Sequence, residues 1–153
     1  MREPGSHSFR GVTPRTATMF GPPGRLYVYF IYGTWYCCNV VCEAQGVGAG
    51  VLLRAAAPWN TTAEPLETLR MSGPGLLCCA LGITRVHDGS DLLGGDSEIS
   101  LFRPDNYSVP ALTWTRRVGL GIDDELQWRC HWTGHPAISK GRPGPVRRTS
   151  RVS

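Results

Sequence analysis

No stretch constrains this chain more than Arg25-Leu-Tyr-Val-Tyr-Phe-Ile-Tyr-Gly33. From Leu26 to Tyr32 nearly every residue is aromatic or β-branched, which is the composition of a strand rather than a helix. Gly33 permits a sharp bend, and Tyr36 to Cys42 reads as a second strand. A period of two places Tyr27, Tyr29 and Ile31 on one face and Val28 and Phe30 on the other. Tyr32 falls at the lip, where the strand gives way to a turn. Tyrosines so arranged either fill a core or form a platform on which a flat heterocycle stacks.

The chain has 153 residues, 41% hydrophobic and 18% charged. That suits one domain with a real core and excludes a wholly disordered chain. No apolar run reaches the length of a bilayer span, and the amino end lacks the apolar core of a signal peptide. A cytosolic location is the expectation. The net charge is +4, and Lys140 is the one lysine among 16 basic residues. Arginine favours phosphates and aromatic planes, although a biased genome composition produces the same count. The six cysteines form no Cys-x-x-Cys, and neighbours such as Cys37 and Cys38 face opposite ways on a strand. Buried free thiols are expected, with no disulfide framework, metal site or cofactor.

Residues 1–24 carry glycines and prolines rather than periodicity. The run His7-Ser-Phe-Arg-Gly-Val-Thr13-Pro-Arg15, with Met19 read as exposed, suits either a phosphate-contacting edge with an apolar tip or a ragged end. The Gly-rich 43–50 lacks both the P-loop and the dinucleotide fingerprint. Residues 51–55 read as a third strand containing Arg54, a costly cation in an apolar run unless it is paired or placed for function. Residues 61–71 and 72–82 read as helices, the second buried, with Pro74 in its first turn and Gly82 at its end. Short strands are expected at 97–102 and 116–121, and another within 126–132. Residues 139–153 read as a basic tail unable to bury enough to fold.

In this order the residues resemble those of the alkyladenine DNA glycosylases, the mammalian-type 3-methyladenine DNA glycosylases. The matching blocks are His7-Ser-Phe-Arg-Gly-x-Thr13-Pro-Arg15, Met19-Phe, Leu-Tyr-Val-Tyr29-x-x-Tyr32-Gly, Cys37-x-Asn39-Val, Val51-Leu-Leu-Arg54-Ala, Ser72-Gly-Pro74 and Arg117-Val118-Gly119. The resemblance implies a single mixed α/β domain over 1–138, with a curved antiparallel sheet flanked by short helices. It implies a monomer that acts on double-stranded DNA, away from membranes. Damaged purines would be flipped from the stack and their N-glycosidic bond hydrolysed without metal or cofactor. Tyr32 would then be the wedge, and His7, Tyr29 and Asn39 would line the base pocket. Thr13, Arg15 and Met19 would touch DNA. Arg54 and the Val118 carbonyl would hold the attacking water.

The resemblance is broken at the front. The family's general-base glutamate, followed two residues later by a pocket tyrosine, lies upstream of the matched histidine. Before His7 this sequence offers only Glu3, which is too close to serve, so the chain reads as lacking its catalytic strand. Leu76 replaces a position that is often basic. Three readings follow: an enzyme whose start lies further upstream, a binding module for damaged DNA with impaired catalysis, or a product whose sheet edge is left unpaired.

Overall fold

The computed structural model describes residues 6–58, 70–105, 107–120 and 126–141. They fall into two compact units, one comprising Met1–Tyr107 with Ala137–Ser139 and the other Ser108–Pro136 with Lys140–Ser153. The architecture is mixed α/β with antiparallel pairing throughout.

In the first unit β1 (Leu26–Ile31), β2 (Trp35–Val41) and β3 (Gly50–Leu52) form a sheet in that order. The register sets Tyr27 opposite Asn39 and Tyr29 opposite Cys37. Strand parity then sorts the side chains as the alternation requires. Leu26, Val28 and Cys38 pack with Cys78, Ile83 and Leu92 on one face, while Tyr27, Tyr29, Cys37 and Val41 pack with Met19 on the other. The sheet is therefore buried on both sides, which suits a strand with no polar side chain except phenols.

The outer edge of β1 would be exposed to unwanted pairing were it bare. Instead the Leu26 amide donates to the Ser90 carbonyl at 2.9 Å, and the Leu26 carbonyl accepts from the Gly89 amide at 2.7 Å. The Val28 amide donates to Asp88 Oδ1 at 2.8 Å, and the Val28 carbonyl accepts from the Arg85 guanidinium. Asp88 Oδ2 also accepts from Thr18 Oγ1 at 3.0 Å and lies 3.5 Å from Arg85. An ion pair and a loop thus take the place of a neighbouring strand along Leu26–Val28. The unpaired edge of the third reading is not found along Leu26–Val28.

Helix α1 (Pro74–Ala80) starts with proline in its first turn and stops before Gly82, whose φ of 64° is left-handed. It packs on β2 by one stripe, Leu77 and Cys78, while Leu76 and Leu81 stay exposed. Its apolar body is therefore only half covered, contrary to the expectation of full burial. The helix expected at 61–71 falls mostly outside the described residues, and Met71 instead lies buried in extended chain beside Ala56.

Three strand expectations need correction. The third strand ends at Leu52, so Arg54 follows it rather than sitting within it. Residues 97–102 form no strand, because the Leu101 amide is spent on the Leu92 carbonyl at 2.7 Å and Leu101 and Phe102 are exposed. In the second unit the strand lies at β4 (Leu112–Thr115), ahead of the expected 116–121, and pairs with β5 (Arg129–Trp132). Gly119, at φ 77°, breaks the extended run after Val118. All six cysteines are free; Cys37, Cys38 and Cys78 are buried as expected, but Cys42, Cys79 and Cys130 are exposed. None of the described helices is long and apolar enough to cross a membrane.

The side-chain edge on β1 gives a direct test. Asp88→Ala leaves the buried Val28 amide without an acceptor and should cost about 1–3 kcal/mol in urea unfolding, with Asp88→Asn losing less. A change within about 0.5 kcal/mol for the alanine variant, the ordinary surface range, would show that this edge is closed by something else.

Candidate functional site

The site is built on the Tyr27–Tyr29 face of β1. The two rings stack with centroids 5.4 Å apart and planes 22° from parallel. His7 stands edge-on to Tyr29 at 4.4 Å and 77°, and its Nδ1 lies 3.3 Å from the Tyr27 hydroxyl. That imidazole comes from the 3-10 helix His7–Arg10, whose start is capped by Ser6 Oγ accepting the Ser8 amide at 3.2 Å. Ser8 Oγ donates to the Gly48 carbonyl, which ties the helix to the β2–β3 connection. Only glycine fits at 48: a Cβ there would meet Ser8 Cβ and Phe20 Cζ at 2.5 Å. Close backbone approach, rather than left-handed geometry, accounts for this one glycine of the Gly-rich loop.

Arg15 is exposed, and its charge acts on both Tyr27 and His7. Partial burial against the tyrosines, followed by the Arg15 charge, holds the His7 imidazole below its ordinary pKa of 6.5. Burial raises both phenols, and for Tyr29 the adjacent Cys37 thiol adds to the effect. Burial likewise pushes Cys37 up to about 11. At neutral pH the face is therefore an uncharged imidazole, two phenols and a thiol, bordered by arginine.

Asn39, opposite Tyr27, has its Oδ1 buried with no hydrogen-bond partner among the described residues. Such an acceptor carries a desolvation cost that a ligand donor would relieve. Arg54 is half-buried at the far side, close enough for its charge to act on Tyr29 and Cys37, and its Nε donates to Ser139 Oγ at 3.2 Å. Ser139 is only 4% exposed, so at this residue the expected tail is drawn into the first unit.

Tyr32 is 90% exposed at the tip of the β1–β2 hairpin. Its φ is 51° and that of Gly33 is 66°, with the Thr34 amide bonded to the Ile31 carbonyl at 3.1 Å. Two successive left-handed residues suit a type I′ turn, where Asn or Gly normally stands first. Tyr32 is the only described non-glycine residue with positive φ. A bulky residue held there is strained, and such strain marks functional positions more often than structural ones.

The structure thus brings His7, Arg15, Tyr29, Asn39 and Arg54 to one face and leaves Tyr32 at its strand's open end. Thr13 is exposed in a turn, its Oγ1 2.9 Å from Thr16 Oγ1. Met19 departs from expectation. It is 2% exposed and packed against Tyr27 and Tyr29 on their own face of the sheet, so it supports the tyrosines and offers no tip to DNA. Its flanking glycines suggested exposure, but the 3-10 helix Ala17–Phe20 turns the side chain inward. Val118 belongs to the second unit, where it is buried and Gly141 packs on it.

Sequence reasoning missed Tyr27, Cys37 and Ser139 as members. Strand alternation could have found the first two, whereas no local signal marks Ser139. A separate concavity of about 260 Å³ lies between α1 and the start of β2, lined by Trp35, Tyr36, Cys78 and Cys79 among others. It shares no residue with the His7–Tyr29 face and contributes no imidazole, carboxylate or guanidinium, so the chemistry lies elsewhere.

The family model described as methylpurine-DNA glycosylase matches residues 1–136. The chain belongs to that family. A relative from Burkholderia lata is 41% identical, with 95% of this chain and 72% of the relative aligned. Another from Chlorobaculum tepidum is 42% identical over 91% of this chain and 69% of its own length. Both carry the name "Putative 3-methyladenine DNA glycosylase".

The depressed His7 pKa has a sign that can be checked. In the free protein the imidazole should titrate below 6.5 by NMR. The stability that depends on its neutral form is complete above that value and declines as pH falls through the folded-state pKa. A midpoint at or above 6.5 would mean that neither burial nor Arg15 acts on this ring.

Proposed function

We propose that this methylpurine-DNA glycosylase family member initiates base excision repair, recognising damaged purines in double-stranded DNA by flipping them onto the His7–Tyr29 face. The observation that carries this reading is the exposed, strained Tyr32 three residues beyond Tyr29 on one hairpin. At about 3.3 Å per strand residue the two lie roughly 10 Å apart, the scale of a single nucleotide. A wedge and a pocket at that spacing suit extrusion of one nucleotide.

Tyr32 enters the stack from the minor groove and fills the gap left by the flipped base. Unstacking costs a few kcal/mol, least at a damaged pair. Stacking of the base on tyrosine returns about 1–3 kcal/mol. A purine made cationic by alkylation gains further from the electron-rich ring face. His7 and the unpaired Asn39 Oδ1 hydrogen-bond the base edge, and Asn39 discriminates against an amino group that does not fit. Thr13 and Arg15 contact the backbone beside the wedge. Arg54 holds water for attack on an oxocarbenium-like sugar, and the Val118 carbonyl is a second candidate for that role. The protein acts as a monomer in the bacterial cytosol, with no metal or cofactor.

A second reading concerns the rate. Within these residues no glutamate occupies the place of the family's general base, since Glu3 lies four residues before His7. A polypeptide of these 153 residues therefore binds lesions but releases base slowly, by roughly the 10²–10⁴-fold that positioned proton transfer supplies.

Both readings are tested on duplexes carrying hypoxanthine or methyladenine. Binding should favour the lesion duplex over the undamaged one, and Tyr32→Ala should weaken it by about 5- to 150-fold, the equivalent of one lost stack, without altering unfolding midpoints. Equal binding to damaged and undamaged duplex would reject the glycosylase reading. Base release in single turnover at the rates usual for such enzymes would reject only the slow-release reading.

A further inference from the structure

We infer that Tyr27 acts as a positioning residue that sets the tautomer of His7: the Tyr27 hydroxyl donates to His7 Nδ1, leaving the imidazole proton on Nε2 as a donor to the bound base. The inference deepens the proposed glycosylase site and rests on that reading for its purpose, though not for its geometry.

A phenol hydroxyl carries one proton to donate, and a buried one needs an acceptor for it. Tyr27 is fully buried, at 0% exposure, and among the described residues His7 Nδ1, 3.3 Å away, is the one acceptor shown for its proton. With the proton on Nδ1 instead, that hydroxyl hydrogen would be buried without an acceptor, an arrangement that folded proteins avoid. Burial keeps the phenol protonated, and the groups facing His7 (Tyr27, Tyr29 and Arg15) include no carboxylate to draw a second proton onto the ring. The Tyr27–Tyr29 stack and the Ser8–Gly48 tie hold the ring in place while the relay sets its polarity. The atom that meets His7 in the complex must then be an acceptor, and a base edge presenting a donor there is refused.

The test uses the free protein at pH 7.5 with ¹⁵N-labelled histidine. Wild type should show a pyridine-type Nδ1 shifted by hydrogen bonding and a pyrrole-type Nε2. Tyr27→Phe, which keeps the ring and its packing, should remove the hydrogen-bond shift at Nδ1. A pyrrole-type Nδ1 in wild type, or a Tyr27→Phe variant that leaves the Nδ1 shift unchanged, would overturn the relay. Unfolding midpoints measured alongside separate a lost relay from a lost fold. Because no DNA is present, failure here leaves the glycosylase reading standing, and failure to prefer lesion duplex leaves the relay standing.

Discussion

The arrangement depends first on how β1 is held along both edges. One edge takes the β2 ladder, and the other takes Ser90, Gly89, Asp88 and Arg85 in place of a strand. Fixing both edges fixes the register, and a slip of one residue would send every tyrosine to the opposite face. Because Leu26 and Val28 bond outward, Tyr27 and Tyr29 pair inward with Asn39 and Cys37. The same hydrogen bonds that make the strand stable therefore select which side chains meet His7. Asp88 is central to this, since one carboxylate serves Val28, Thr18 and Arg85 together.

Once the strand is fixed, its two ends do different work. The buried half presents stacked phenols, and the free end presents one tyrosine to solvent. Chain direction alone makes Tyr32 project, because the hairpin must turn there. The left-handed φ of Tyr32 is harder to explain on grounds of stability, since Asn or Gly would fit that turn with less strain. A tip that is both strained and aromatic is what a wedge requires, because flexible side chains lose more freedom on insertion.

Much of this arrangement was legible in the chain. Alternation in Leu26–Tyr32 gave the two faces, Gly33 the bend, and Pro74 with Gly82 the limits of α1. What escaped was set by contacts distant in sequence. Met19 looks like a surface residue because it lies in a segment punctuated by glycines and prolines, yet it is covered by the sheet it supports. Arg54 looked like a strand residue because Val-Leu-Leu precedes it, but β3 ends at Leu52 and the last bond to β2 runs from the Leu53 amide to the Cys38 carbonyl. Residues 97–102 have strand composition without a partner, and composition cannot supply one. Ser139 lies 85 residues from Arg54, in a stretch whose own sequence suggests no order.

These contacts also explain why the site can hold unfavourable features. An unpaired amide oxygen on Asn39, a histidine kept from its proton and a strained tyrosine each work against folding. All three adjoin β1, which is anchored on both faces and along Leu26–Val28, so the rest of the unit can sustain them. A glycosylase must complete such a pocket before the base arrives, since a flipped nucleotide in an unformed site would simply return to the stack. If the face receives a flipped base as proposed, the buried thiols, Met19 and the Asp88 edge serve that step without touching DNA, by keeping the tyrosine face in one shape.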